Sequence, residues 1–541
     1  MTMMLVTVSE MKAIEKAADG RGVTYAEMMQ RAGRGLAEQV IGQFEDETAP
    51  HLAVGLVGSG NNGGDTLVAL RVLADNGWMV KAFLVSRRSS EDELLAVLGG
   101  ELFEAVVAED DPNFERLDDW LEDTDVLLDG VLGTGVRLPL KGEAALVLGH
   151  VSRLHLSSLV VAVDCPSGVD CDSGEMAAET IEADLTVCIQ AVKVGLIRLP
   201  AFSKTGDLAV VDLGLPPVVL EEAVVRRQVI SAEDVAGWLP KRALDSHKGT
   251  FGTAFVVAGS LNYTGAVFLA CRAAYRVGTG LVQAGVISPL HAALAGSLPE
   301  VTWIILPDVM GVISESAADV VIQNLGRATA FLIGPGLGME ETTATFMRRL
   351  FSGHGAGLRR GGMGFVADAE AERHAPSVTL PGLVIDADGL KLLAKIDSWW
   401  KNLAPETILT PHPGEMAVLT GLPVDEIQNN RMGVAMRFAK KWNVVVILKG
   451  AISFVAAPDG RLAVIPIATS ALAKAGTGDV LAGLVTGLRA QGVPPFEAAC
   501  AGAWIHGQAG ITAISLTGTA ASVLASEVVD AIPFVLQDLS D

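Results

Sequence analysis

Apolar and polar positions follow two rhythms along this chain. Near the start, Met11, Ile14 and Ala18, then Tyr25, Met28 and Met29, then Leu36 and Val40 recur at helical spacing and predict two helices. From Leu52 the rhythm changes to short apolar runs closed by polar residues: Leu52–Val57, Met79–Val85, Asp125–Leu128 and Leu159–Val163. Such runs, separated by helical stretches, predict the strands of a buried parallel sheet. The first run enters a polar glycine loop, Gly58–Asp65, with an amphipathic helix expected from Thr66.

A second series repeats the alternation. Phe251–Ala258, Phe331–Gly334, Leu383–Asp386, Thr407–Leu409 and Val444–Leu448 read as strands, with a helix at Val267–Val277. The series ends in KAGTGDVLAG, Lys474–Gly483, where Val480, Leu481, Leu484, Val485 and Leu488 predict a helix entered through a glycine loop. Between the two series, the proline pair and charges of Leu213–Arg227 mark a boundary. The expected domains are therefore 1–220 and 226–541, both α/β. The glycine-, arginine- and alanine-rich segment Ser352–Leu380 lacks periodicity and reads as a mobile excursion, with Arg359 and Arg360 solvated. Ala498–Ser526 carries no Asp, Glu, Lys or Arg, but its Gly, Ser and Thr content, with His506 and Gln508, reads as buried helices broken by a loop.

Composition narrows the partners. The 541 residues carry 40 basic against 63 acidic side chains, a net charge of −23, which argues against nucleic acid and against an anionic membrane surface. The five cysteines, Cys165, Cys171, Cys188, Cys271 and Cys500, form no CxxC pair and are expected as reduced thiols. The histidines show no zinc spacing. No basic region followed by an apolar core opens the chain, so no signal peptide is expected and the expected location is cytoplasmic.

The candidate chemistry lies where strands end. Asn61 and Asn62, Asp129, and then Asp164 with Ser167 each follow a predicted strand, the edge at which open parallel sheets bind ligands. The glycine loop is neither GxGxxG nor a P-loop, and its paired asparagines suit a monovalent cation or a phosphate. At the other end of the chain, the AGTGD amides and a helix N-terminus can approach an anion, and Asp479 can take a proton from a hydroxyl or simply cap the helix. Lys474 reads equally as catalytic or as a surface lysine.

GNNGGD, a strand-end Asp129 followed by GTG, VDCPSG at Val163–Gly168, and Lys193 within QAVKVGLIRLP together resemble the NAD(P)H-hydrate epimerase domain. The resemblance implies that Asn61, Asn62, Gly63, Gly64 and Asp65, with Gly133, Thr134, Gly135, Val136, Arg137, Leu138 and Pro139, hold the hydrate. Asp164 would be the acidic group at the substrate, serving as acid or base while the ring hydroxyl leaves and returns. A potassium ion is implied at Asn62, Asp129 and Ser167. Thr66 stands where that family usually has a further glycine, with little expected effect on binding.

HKGTFG (His247–Gly252), NYTGA (Asn262–Ala266), IGPGLG (Ile333–Gly338), DADGL (Asp386–Leu390), TPHPGE (Thr410–Glu415), LKGA (Leu448–Ala451) and AGTGD (Ala475–Asp479) occur in fixed order. They resemble the ADP- or ATP-dependent NAD(P)H-hydrate dehydratase of the ribokinase-like superfamily, from Val229 onward. The resemblance implies that Ala266, Gly338, His412 and Asp479 face the hydrate, with Asp479 catalytic. Lys449, Gly450, Ala451, Ile452, Ser453 and Gly478 would border the nucleotide, which brings a magnesium ion. Gly389 replaces a usual alanine and Ser470 a frequent asparagine.

Two three-layer αβα domains are thus implied, a Rossmann-like epimerase domain and a ribokinase-like dehydratase domain. The implied small molecules are NADHX, NADPHX and ADP or ATP, with ADP favoured by the fusion, and the implied state is a homo-oligomer. A ribokinase-type small-molecule kinase shares GTGD, but the fused first domain and TPHPGE argue against it. A non-catalytic nucleotide sensor has little need for both Asp164 and Asp479.

Overall fold

The computed structural model describes residues 3–44, 51–86, 93–96, 98, 103–351 and 380–540, which leaves the predicted excursion, with Arg359 and Arg360, outside the described residues except for Leu380. The chain divides into two compact units, Met3–Val229 and Ile230–Asp541.

The first unit is built on seven parallel strands, ordered Phe103–Val107, Met79–Leu84, Leu52–Val57, Val126–Gly130, Leu159–Val163, Leu185–Ile189 and Asp207–Val211. Apolar clusters cover both faces of the sheet. That is why Leu52–Val57 is buried at every position and reads as an unbroken apolar run rather than an alternating one. Chain order reverses between Leu52–Val57 and Val126–Gly130, and the crevice at their carboxyl ends is where such folds bind ligands.

One expected element differs. The helix after the first strand begins at Asn61 and runs to Asp75, so Asn61–Asp65 are helical rather than loop, and every residue from Asn62 to Leu70 is buried. It is not amphipathic because the Tyr25–Gly42 helix covers the side away from the sheet. Gly33 of that helix sits so close that a side chain there would overlap Val68, and a Cβ at Gly64 would lie 2.6 Å from Met29 Cε.

A short strand the sequence pattern missed, Met3–Val6, pairs antiparallel with Arg227–Val229 and parallel with Val192–Lys193. Its pairing of Val6 with Lys193 sets the lysine in place. The following helix, Val8–Asp19, starts in a capping box: Thr7 Oγ1 accepts from Glu10 N–H, and Glu10 accepts from Thr7 N–H at 2.7 Å.

In the second unit, Thr302–Leu306, Leu281–Ile287, Thr253–Val257, Ala330–Ile333, Gly382–Ile385, Ile408–Leu409 and Val445–Leu448 run parallel in that order. Ser453–Ala456 and Leu462–Ile465 continue the sheet antiparallel. The helix expected at Val267 starts earlier, at Thr264, which puts Ala266 in its first turn. The Thr477–Ala490 helix packs onto it through Gly483, where a side chain would overlap the backbone of Ala270. Of the helices expected within the uncharged stretch, one, Pro495–Thr517, fills most of it and ends at a left-handed turn at Gly518, while the next, Ala525–Asp538, lies almost wholly beyond it. Among the described residues no helix is long and apolar enough to cross a membrane. Both units are α/β, as expected.

Candidate active sites

At the carboxyl edge of the first sheet lies a cavity of about 370 Å³, lined among others by Glu15, Lys12, Asn61, Asn62, Asp65, Thr134 and Asp164. Asp164 ends the strand Leu159–Val163 in a left-handed conformation, φ 65°, which is costly for a residue with a side chain and is held here by its contacts. Its carboxylate accepts from Ile189 N–H at 2.8 Å and forms a buried ion pair with Lys193. Lys193 also donates to the Ile189 carbonyl at 3.1 Å. Burial would lower the pKa of this lysine, but Asp164 outweighs it and holds the ammonium above the usual lysine range. Asp65 and Glu15 complete the group. Burial, with repulsion from Asp164, pushes both carboxyls up, Asp65 far more than Glu15.

Beside the cavity, Asn62, Asp129 and Ser167 are joined through Leu132. Ser167 N–H donates to Asp129 Oδ2 at 2.8 Å, Leu132 N–H donates to Ser167 Oγ at 2.8 Å, and Asn62 Nδ2 donates to the Val163 carbonyl at 2.5 Å. Asp129 Oδ1 is buried with no hydrogen-bond partner, and burial raises the pKa of that carboxyl. A side chain at Gly133 would overlap Asn62 Oδ1, so the GTG loop closes directly over the asparagine. Of that loop only Thr134 lines the cavity; Gly135, Arg137 and Pro139 are exposed, and Val136 and Leu138 are not among the lining residues. Thr66 donates to the Asn62 carbonyl at 2.7 Å and fills the space a side chain at Gly130 would need. The close approach that a glycine at 66 would give is supplied instead by Gly130 on the facing strand.

In the second unit, Asp479 is the third residue of the Thr477–Ala490 helix, which follows a left-handed Gly476. Burial first, then repulsion from Asp386, raises its pKa to about 7, with Lys449 offsetting part of the rise. Lys449, just past the strand Val445–Leu448, donates to Asp386 Oδ1 at 2.7 Å and lies 3.8 Å from Glu415. Burial alone would depress this lysine, but the two carboxylates keep it above its usual range. Asp386 is fully buried and its Oδ2 has no partner. A Cβ at Gly478 would lie 3.5 Å from Lys449 Nζ and 3.8 Å from Asp386 Oδ2, so the GTGD turn rests on this cluster.

The other expected residues divide. Gly338 donates to Asp388 Oδ2 at 3.1 Å, and a Cβ at Gly336 would lie 2.9 Å from that of Ala266, so the GPGLG loop bridges Ala266 to the acidic cluster. His412 is the N-cap of the Pro413–Thr420 helix, its Nδ1 accepting from Gly414 N–H at 3.0 Å, with the ring half exposed. Lys449 points into the carboxylates, while Gly450 lies under the Arg431 guanidinium, Ala451 is exposed, Ile452 is buried and Ser453 begins the next strand. Lys474 donates to the Ala521 carbonyl at 2.6 Å and takes no part in the cluster.

Sequence reasoning assigned no role to Asp386, Glu415 or His506. The first two stood inside quoted motifs, and a strand-end Asp facing a strand-end Lys was the available signal. His506, buried on the Pro495–Thr517 helix near Thr477 and with no hydrogen-bond partner at Nε2, is pushed down to about 4 by desolvation. Nothing in its local sequence announced it. Among the described residues no group of three or more His, Cys, Asp or Glu side chains is placed to hold a metal ion.

Two family profiles match the chain: one described as NAD(P)H-hydrate dehydratase over residues 254–534, and one as YjeF-related protein N-terminus over residues 25–195. A protein of Moorella thermoacetica named bifunctional NAD(P)H-hydrate repair enzyme Nnr is 33% identical over 100% of this chain and 98% of its own length. A protein of the same name from Salinibacter ruber is 35% identical, covering 98% and 96%. Among solved structures, the ADP/ATP-dependent NAD(P)H-hydrate dehydratase of Bacillus subtilis, co-crystallised with ATP and Mg²⁺, is 29% identical over 57% of this chain and 98% of its own, with a TM-score of 0.45.

Proposed function

Because the chain belongs to the family of bifunctional NAD(P)H-hydrate repair enzymes, we propose that its first unit epimerises the hydrates NADHX and NADPHX and its second dehydrates them at the expense of ADP or ATP. The observation that carries this reading is Asp479: a carboxyl group at the start of a helix, its pKa near 7, beside a lysine and a glycine turn. A base of that pKa is poised to accept the proton of a ring hydroxyl at neutral pH as the phosphoryl group arrives. The helix N-terminus and the Gly476–Gly478 amides supply positive potential where the transferred phosphoryl gathers charge. Lys449 balances Asp386 and limits the repulsion that Asp479 feels. The phosphate ester then leaves with the ring nitrogen's assistance and the dihydronicotinamide is restored. Ala266, Gly338 and His412 are the residues we place along the hydrate. Gly450, Ala451, Ile452 and Ser453 we place along the nucleotide.

Magnesium brought by the nucleotide would neutralise phosphate charge. Asp386, with its free buried Oδ2, and Asp388 fit such an ion through one or two carboxylates, not through a full protein cage. In the first unit, the orphaned Asp129 Oδ1, with Asn62 and Ser167, fits a monovalent cation such as potassium, which would neutralise a buried carboxylate and fix the loop. Asp164, ion-paired with Lys193, lines the cavity in which we place the hydrate.

The test is to supply pure R and pure S hydrate with ADP and with ATP in parallel and to follow NADH absorbance. Recovery from S with either nucleotide, and from R only while the epimerase runs, is expected. A stable phosphorylated product without NADH would instead mark a small-molecule kinase.

A further inference from the structure

Epimerising the hydrate needs a proton as well as a negative charge. The hydroxyl-bearing ring carbon adjoins the ring nitrogen, so the hydroxyl can leave as water once protonated, with the nitrogen lone pair forming a carbon–nitrogen double bond. Two different carboxyl groups suit these two needs. An ionised one stabilises the cationic ring, and a neutral one donates the proton.

The cavity holds such a pair. Asp164 is tied to Lys193 and to Ile189 N–H, both of which donate to its Oδ1. Asp65, the fifth residue of the Asn61–Asp75 helix, is buried and has no hydrogen-bond or ionic partner among the described residues. The buried ammonium near it is committed to Asp164. Facing Asp65 are Glu15 and Lys12 from the Val8–Asp19 helix, Tyr25 from the next helix, Asp164 from the end of its strand, and Lys193. Desolvation, Asp164 and Glu15 all favour the protonated carboxyl, and Lys193 opposes them only in part.

Resting on the epimerase reading above, we propose that Asp65 is the catalytic acid of the first site, delivering the proton to the departing hydroxyl, while Asp164 stabilises the cation formed. The Asp65 proton passes to the hydroxyl oxygen, the carbon–oxygen bond breaks, and water departs as the ring nitrogen shares its lone pair. Water then adds to the opposite face of the same carbon, the electron pair returns to nitrogen, and the surplus proton restores Asp65. Nothing is oxidised or reduced, and the site ends as it began.

Asp65→Asn separates this role from simple binding, because an amide can still donate a hydrogen bond but cannot give up a proton. Epimerisation is measured from pure S hydrate with no nucleotide present, above an enzyme-free control. The same preparation is assayed for nucleotide-dependent dehydration in the second unit, which normalises the amount of protein, and an unchanged melting transition of the first unit reports that the unit carrying Asp65 is folded. The expected result is a fall in kcat of about 100-fold or more with little change in KM. Asp65→Glu, which keeps the acid, should recover part of the loss. Wild-type kcat should decline as pH rises past the Asp65 pKa, a limb missing from the residual rate of Asp65→Asn. A normal kcat in Asp65→Asn overturns the assignment and leaves Asp65 as a binding residue. Absence of epimerisation by the wild type overturns the epimerase reading itself, and the assignment with it.

Discussion

Asp479→Asn tests whether the raised carboxyl in the second unit is both the base and a local burden on the fold. The folded-state pKa of about 7 stands against an ordinary 3.8. That gap corresponds to on the order of 4 kcal/mol of unfavourable ionisation, a ceiling that solvent relaxation around a partly accessible group reduces. The sign follows from linkage. A carboxyl raised in the fold contributes fully below its unfolded pKa, near 4, and that contribution is lost as pH rises through about 7. The asparagine variant carries no such loss. Its urea midpoint should exceed that of the wild type at pH 8, and the gap should shrink steadily as pH falls toward 4. Dehydration should drop by at least about 100-fold at every pH. The rising limb of the wild-type rate between pH 6 and 8 should disappear. Equal stabilities of the two proteins at pH 8 would refute the electrostatic argument, and undiminished turnover would refute the role of base.

Three other outcomes follow from the same contacts. Asp164→Asn should reduce epimerisation by about 100-fold or more, while dehydration of pure S hydrate in the second unit stays normal; parallel assays of the two reactions check this. Potassium should raise the melting temperature of the first unit's transition, adding about 2.7 kcal/mol at a hundredfold excess over its Kd, and Asp129→Asn should erase the effect, as read by calorimetry in potassium and in lithium salts. Gly389→Ala should destabilise the second unit by about 1–3 kcal/mol in urea unfolding, although alanine is the residue expected there from the resemblance. The reason is that a Cβ at this position would lie 2.7 Å from Gly334 Cα, where the two backbones leave no room.

Much of the architecture was legible because buried parallel strands announce themselves. Leu52–Val57 and Leu159–Val163 have the predicted bounds, since a strand covered on both faces must be apolar throughout. The misses share a cause in tertiary packing. The Asn61–Asp75 helix hides its first turn in asparagines and glycines that look like a loop, and only its burial between sheet and helix shows why glycine is needed there. Strands such as Met3–Val6 are too short for periodicity to register. At the sites, Asp164 and Asp479 were legible from their motifs. Their electrostatic partners were not, because Glu15, Asp386 and Glu415 come from distant parts of the chain. His506 shows the limit most plainly, being one apolar-helix histidine until Thr477 is placed against it.

The two sites solve one electrostatic problem in the same way. Each stands at the carboxyl end of a parallel sheet, and each buries more carboxylates than one cation can neutralise. In the first, Lys193 is bound to Asp164 and leaves Asp65 without a partner. In the second, Lys449 is bound to Asp386 and leaves Asp479 raised to about 7. A single buried lysine thus divides each group into one carboxyl engaged in an ion pair and one left without that partner, whose pKa is raised. Adding a second lysine would make either site more stable but would pull the free carboxyl back to its ordinary range and end its use for moving protons near pH 7. The shortage of cations in a chain of net charge −23 is, at these two places, what would suit an aspartate to the acid or base role proposed for it.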